Sequence, residues 1–207
     1  MSIILPRSFY QEDALHVAPR LLGKTLVRRL GNHDIRCKIV EVEAYIGPHD
    51  KGAHVYKNKR TPRTEALFLP GGHAYVYLIY GMYHCLNIVT GLLDMPQGVL
   101  IRAVEPLDDN SFHTIKQNRP IRSKKLTDLT NGPGKLCAAL NIDKSFNQYN
   151  ILTGEDLFLE DNDLPHGIVC APRINIPYAE EYIHVPWRFY IQDNPFVSIL
   201  DSNATPI

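Results

Sequence analysis

Glu41 and Glu43 stand two residues apart in the segment Lys38 to Ile46, where Val40, Val42, Ala44 and Ile46 alternate with Glu41, Glu43 and Tyr45. Period two is the period of a strand. Both carboxylates and the Tyr45 ring therefore leave on one face, while the other face is apolar and can be anchored in a core. A carboxylate held this stiffly can take a proton from an attacking water or stabilise positive charge in a transition state. A surface pair has the same spacing, so the pattern alone leaves both readings open. The surroundings add to it: Tyr45, His54, Tyr75 and Tyr77 supply aromatic walls, and a basic segment follows His54. Aromatic walls, one carboxylate and a cationic rim describe a site for a flat base.

Charge is balanced in total, 22 basic against 22 acidic side chains in 207 residues, but not in place. Lys51, Lys57, Lys59, Arg60 and Arg63 run without an acid between Asp50 and Glu65, and Lys116 to Lys135 is a second basic stretch. Acid gathers late, from Glu155 to Asp163 and at Glu180 and Glu181. Separated signs allow one cationic face toward a polyanion, though solvated loops have the same look.

The elements that must position these groups are short. Ser8 to Leu22 has helical spacing of Phe9, Ala14, Leu15, Val17, Ala18, Leu21 and Leu22, with a cap expected near Ser8 and an end at Gly23. Lys38 to Ile46 is the expected strand. Ala74 to Tyr80 and Tyr83 to Val89 read as a hairpin closed by a two-residue loop, Gly81-Met82. Gly98 to Val104 is a further strand carrying Arg102, and a helix is expected to start near Lys135. Strands follow one another without helices between them, which points to a mixed or antiparallel sheet. With no linker and no repeat, one domain over 1–207 is expected.

Several classes are excluded. Gly132-Pro-Gly-Lys135 is no phosphate loop, because Leu129 stands where a glycine is required and Leu136 where a hydroxyl would bind magnesium. The four cysteines form no C-x-x-C pair and the histidines have no zinc spacing, so no metal and no disulfide are expected. The longest apolar stretch, Ala74 to Val89, is broken by Gly81, His84 and Asn87 and falls short of a membrane span. A cytoplasmic protein is expected.

At these residues the chain resembles the alkyladenine (3-methyladenine) DNA glycosylase family. The likeness is carried by Glu41-Val-Glu43-Ala-Tyr45-Ile-Gly-Pro-His-Asp-Lys-Gly-Ala-His54, Thr61-Pro-Arg63, Tyr75-Val-Tyr77-Leu-Ile-Tyr80-Gly-Met-Tyr83-His-Cys-Leu-Asn87, the Arg102 stretch, Asn131-Gly-Pro-Gly-Lys135-Leu-Cys137 and Trp187-Arg-Phe-Tyr190. These motifs run in order from about Leu5 to Asp201. The resemblance implies an α/β fold of the α+β type: a single compact domain with a curved, mainly antiparallel sheet, surrounding helices and a protruding hairpin.

It also implies monofunctional removal of damaged purines (3-methyladenine, 7-methylguanine, hypoxanthine and ethenoadenine) from duplex DNA, without cofactor, by a monomer associated with the nucleoid of a bacterial-type cell. Glu43 would be the general base and Arg102 would orient the attacking water, with the Ile174 carbonyl as a further ligand. Tyr45, His54 and Tyr77 would wall the pocket, where cationic alkylated purines gain from electron-rich rings. Asn87 would crowd the 2-amino group of guanine. Tyr80 and Met82 would wedge into the duplex, and Lys59, Thr61, Arg63 and Lys135 would meet its backbone. In the expected two-residue hairpin Tyr77 and Asn87 fall on opposite faces, which calls for a bulge, a strong twist or an indirect contact. Val42, Leu67 and His84 depart from residues common in the family. A catalytically inactive binder of damaged or bent DNA is the alternative, and a small-molecule glycosidase is a third reading.

Overall fold

The computed structural model describes residues 3–207; the first two residues of the expected 1–207 unit lie outside it. Its frame is one nine-stranded open sheet in which every strand pairing is antiparallel. The strands are β1 (Thr25–Leu30), β2 (His33–Ile46), β3 (Ala74–Ile79), β4 (Tyr83–Val89), β5 (Gln97–Pro106), β6 (Leu157–Glu160), β7 (Ile168–Ala171), β8 (Arg188–Ile191) and β9 (Thr205–Pro206). The order is β3-β4-β5-β2-β8-β7-β9, with β1 and β6 branching from β2. Among the described residues four α-helices accompany it: α1 (Arg7–Tyr10), α2 (Ala14–Leu21), α3 (Asp109–Asn118) and α4 (Pro133–Ala139). This is the expected α+β architecture.

β2 is the spine. It begins at His33 rather than Lys38 and runs 14 residues. One edge of it pairs with β5; along the other edge its first half pairs with β1 and its second with β8. Its alternation is interrupted. Ile39 pairs with Val104, Glu41 with Ala103 and Val42 with Ile101, so Val40 and Arg102 are each left without a partner. Such paired bulges bend a sheet and re-aim side chains. Val40 accordingly does not share a face with Val42 and Ala44: it packs with Ala103, Val169 and Tyr190, while Ile39, Val42 and Ala44 belong to the main core under the helices. The expected single apolar face is corrected on this point.

The expected helix over Ser8 to Leu22 is broken into α1 and α2. The hydrogen bond that would join them is replaced at both ends: the Tyr10 carbonyl accepts from Gly91 N–H at 2.8 Å, and Ala14 N–H donates to the Gln97 side chain at 3.0 Å. Asp13, not Ser8, caps the second piece, accepting from Leu15 N–H. Gly23, at φ 82°, ends it as expected. α4 starts at Pro133, two residues before the expected Lys135, with proline in the first turn.

The hairpin differs by one residue. Ile79 pairs with Tyr83, so the loop is Tyr80-Gly81-Met82. Tyr80 (φ 54°) and Gly81 (φ 70°) are its left-handed residues, and Met82 N–H donates to the Ile79 carbonyl at 3.3 Å. A shift of one residue exchanges the faces of every side chain on a strand. Tyr75 now lies opposite Asn87 and Tyr77 opposite Cys85, so all four share one face. Neither bulge nor unusual twist is needed to bring Tyr77 and Asn87 together. Cys37, Cys85 and Cys137 are buried free thiols and Cys170 is half-buried. Among the described residues no helix is long and apolar enough to cross a membrane.

Candidate active site

Beneath the face of the sheet opposite the helices, a small cluster of Ala53, Val55, Ala66, Leu67, Phe68, Tyr75 and Val89 supports a slot. Tyr45, His54, Leu67, Tyr75, Tyr77 and Asn87 line it, together with the backbone at Gly52 and Gly98 and with Gln97 and Tyr178. The space it encloses, counted out to its open mouth, is about 410 Å³. The rings of Tyr45, His54, Tyr75, Tyr77 and Tyr178 stand in its wall. His54 and Tyr77 meet edge to face with centroids 4.6 Å apart, and Tyr75 and Tyr77 are 5.2 Å apart.

The polar tips in the wall are held neutral. His54 Nδ1 lies 3.0 Å from the Tyr75 hydroxyl. Burial, aided by the nearby Arg63 guanidinium, lowers the His54 pKa to about 4, so the ring is uncharged at neutral pH. Burial likewise pushes the Tyr75 hydroxyl up to about 12 and lifts those of Tyr45 and Tyr77 further. Asn87 Nδ2 donates to the Tyr75 carbonyl at 3.2 Å, which fixes the amide plane at the slot.

Glu43 lies beside this slot, fully buried, at the end of a chain of ion pairs. Its Oε1 accepts from Ile174 N–H at 2.7 Å and lies 3.3 Å from Arg102 Nη1; its Oε2 accepts from the Tyr45 hydroxyl at 2.8 Å. The Ile174 group turned to Glu43 is thus its N–H. Burial pulls the Arg102 guanidinium down, but Glu43 and Glu41 more than offset this and raise it above its ordinary value. The unpaired position of Arg102 in β5 is what lets a residue of an apolar strand reach both acids.

Glu41, also fully buried, is not a second free carboxylate. It accepts from Arg188 Nη1 at 3.0 Å, Ser198 N–H at 2.8 Å and Arg102 Nε at 3.4 Å. The two acids that share a face therefore have different surroundings: one is enclosed by structural donors, the other abuts the slot.

A second buried pair backs the site. Asp50 and Arg173 form a two-pronged pair at 2.6 and 2.8 Å with both side chains sealed from solvent. Arg173 donates to the Ala44 carbonyl at 3.0 Å and its guanidinium lies between the Tyr45 and Trp187 rings, 4.6 and 5.0 Å from their centroids. It precedes Ile174, so it fixes both the backbone donor to Glu43 and the rear of the Tyr45 ring. Sequence reasoning missed Asp50, Arg173 and Tyr178. Asp50 and Arg173 are 123 residues apart, and nothing in either neighbourhood marks them as partners.

At the far end of β3 and β4 the hairpin tip projects into solvent. Tyr80 is 75% exposed, with Leu78, Met82 and Tyr83 also exposed around it. A positive φ is uncommon for an aromatic residue and costs roughly 1–2 kcal/mol, so Tyr80 is held in place against its own preference.

The expected cationic rim is thinner than the residue count. Lys51 is paired with Glu180 and Glu181, and Arg60 with Glu65 and Asp94. Lys57, Lys59 and Arg63 enter no ion pair among the described residues. The Thr61 hydroxyl lies 3.1 Å from that of Thr64, tightening the loop. Lys135, in the first turn of α4, donates to Asn131 Oδ1 at 2.7 Å and lies 3.7 Å from Asp128. Arg63 does not point along the rim: its guanidinium lies over the Tyr77 ring, 5.2 Å from the centroid.

Residues 8–195 match the family model for methylpurine-DNA glycosylase (MPG). The chain is 50% identical over 197 residues to a protein of Natranaerobius thermophilus, covering 94% of this chain and 98% of that one. It is 52% identical over 200 residues to one of Clostridium botulinum, covering 95% and 99%, and 51% identical over 199 residues to one of Alkaliphilus oremlandii, covering 94% and 98%. All three bear the provisional name 3-methyladenine DNA glycosylase. A family model over nearly the whole length and relatives of half identity end to end place the chain in the methylpurine-DNA glycosylase family, DNA repair hydrolases that cleave N-glycosyl bonds.

Proposed function

We propose that this DNA glycosylase extrudes alkylated or deaminated purines from duplex DNA into the aromatic slot and hydrolyses the bond to the sugar with Glu43 as general base. The observation that carries the reading is the position of Glu43: a buried carboxylate, braced at both oxygens, beside a slot of aromatic rings. An ionised carboxylate accepts about four hydrogen bonds. Ile174 N–H and the Tyr45 hydroxyl take two and the Arg102 guanidinium lies 3.3 Å from Oε1, which leaves room for a water aimed at the sugar C1′. Proton transfer to Glu43 accompanies attack, and its charge stabilises the oxocarbenium-like sugar. Arg102 keeps the carboxylate oriented as that charge develops.

Position supports each remaining role. Tyr45, His54 and Tyr77 stack on and edge the base, a contribution of roughly 1–3 kcal/mol per stacked base. Asn87 sits where an extra 2-amino group would have to fit. Tyr80, with Met82 beside it, fills the gap left by the extruded nucleotide, a step that costs a few kcal/mol of unstacking. Lys59, Thr61 and Lys135 meet the DNA backbone. No lysine lines the slot among the described residues, which favours a monofunctional reaction that leaves an abasic site. The enzyme acts as a monomer in the cytoplasm, at the nucleoid.

The test is incubation of the protein with a duplex carrying one hypoxanthine or one 1,N6-ethenoadenine, followed by alkaline cleavage of abasic sites. Strand scission at the lesion is the expected result. Absence of excision from every alkylated or deaminated purine tried would overturn the assignment.

A further inference from the structure

Arg63 occupies an unusual place for a residue of a basic loop. Its guanidinium covers one face of Tyr77, a wall of the slot, at 5.2 Å from the ring centroid. It also acts on the next wall residue, being the charge that adds to burial in keeping His54 neutral. Lys51 and Arg60 in the same segment are neutralised by acids, but Arg63 enters no ion pair among the described residues. The second guanidinium on a slot ring, Arg173 behind Tyr45, is closed by Asp50 and adds little net charge. An exposed guanidinium with no ion pair among the described residues therefore lies against Tyr77, one wall of the base slot and a ring that a cationic base would use.

A purine alkylated at N3 or N7 carries a positive charge while still joined to the sugar, whereas hypoxanthine and ethenoadenine are neutral. A cation entering the slot meets the Arg63 charge and gains less from Tyr77, because one face of that ring is spent on the guanidinium. A neutral base pays neither cost. We infer that Arg63 is a specificity-determining residue, a charge filter that shifts selection in the slot from cationic alkylpurines toward neutral damaged purines. The inference rests on the reading of the slot as the base pocket, and it reverses the simple expectation that electron-rich walls favour cationic lesions.

The test compares two duplexes that differ only in the lesion, hypoxanthine or 7-methylguanine. Single-turnover excision at subsaturating enzyme is measured for the wild type, Arg63→Gln and Arg63→Lys, with the enzyme-free loss of 7-methylguanine subtracted. Arg63→Gln is expected to raise the 7-methylguanine to hypoxanthine rate ratio about tenfold, and Arg63→Lys, which keeps the charge, to hold it within about threefold of wild type. If Arg63→Gln lowers both rates by one factor, or leaves both unchanged, Arg63 is no filter, and the glycosylase assignment stands. If the wild type removes neither base, the filter and the base pocket fall together.

Discussion

The Tyr45 hydroxyl donates to Glu43 Oε2 at 2.8 Å, so a ring that walls the slot is bonded directly to the carboxylate beside it. The two residues are neighbours on one face of β2, and the pleat sets their separation. Burial, and then the Glu43 charge, keep the phenol protonated and a donor. Tyr45→Phe preserves the stacking surface and removes a hydrogen bond to a charged group, worth about 1.5–3 kcal/mol. Single-turnover excision should fall by about ten- to a hundredfold, with DNA binding nearly unchanged. Equal loss of binding and rate would place the hydroxyl in base recognition instead.

The buried charges must be destabilising when halved. Glu41→Ala leaves Arg102 and Arg188 without their shared acceptor, and Asp50→Ala strands Arg173, whose Nε already lacks a partner. Each is expected to cost about 3–5 kcal/mol of unfolding free energy, measurable as a lower urea midpoint. A loss below about 1 kcal/mol would mean that water reaches these guanidinium groups.

The His54 ring introduces a pH dependence of stability. Its folded pKa, about 4, is below the ordinary 6.5, so the unfolded chain binds a proton that the folded one does not. Stability should be at its full value above pH 6.5 and decline as the pH falls from 6.5 toward 4. The decline should be smaller in His54→Asn, compared by urea midpoints across that window. An NMR titration with a midpoint near 6.5 in the folded protein would contradict the burial assigned to the ring.

At the hairpin tip, stability and function should part. Tyr80→Gly relieves the positive φ, offset in part by the freedom glycine gains in the unfolded chain. Its melting temperature should stay level or rise, while excision from a fully paired duplex falls and excision of a mispaired lesion, already easy to extrude, falls less. Parallel losses on both duplexes would argue against Tyr80 as the wedge.

How far the sequence alone reaches is clear from these same residues. The alternation in β2 exposed Glu41, Glu43 and Tyr45 because pleat and pattern share one period. It could not show that Val40 turns to the other face, since paired bulges depend on the register of β5, which periodicity does not encode. The hairpin was legible as a hairpin. Its loop was displaced by one residue because an aromatic side chain at positive φ is disfavoured locally and Gly81 is the obvious turn residue. The break before Asp13 escaped for a related reason: it depends on Gly91 and Gln97, more than 80 residues away. Likewise, the distinct environments of Glu41 and Glu43 are tertiary, set by Arg188 and Ser198 on one side and by Ile174 on the other.

The most direct measurement is single-turnover excision of hypoxanthine by Glu43→Gln, which is nearly isosteric and loses the proton-accepting charge. The variant is expected to bind the damaged duplex about as tightly as wild type and to release the base about 10²–10⁴ times more slowly. A variant that cleaves the bond within a few-fold of the wild-type rate would show that Glu43 is not the base.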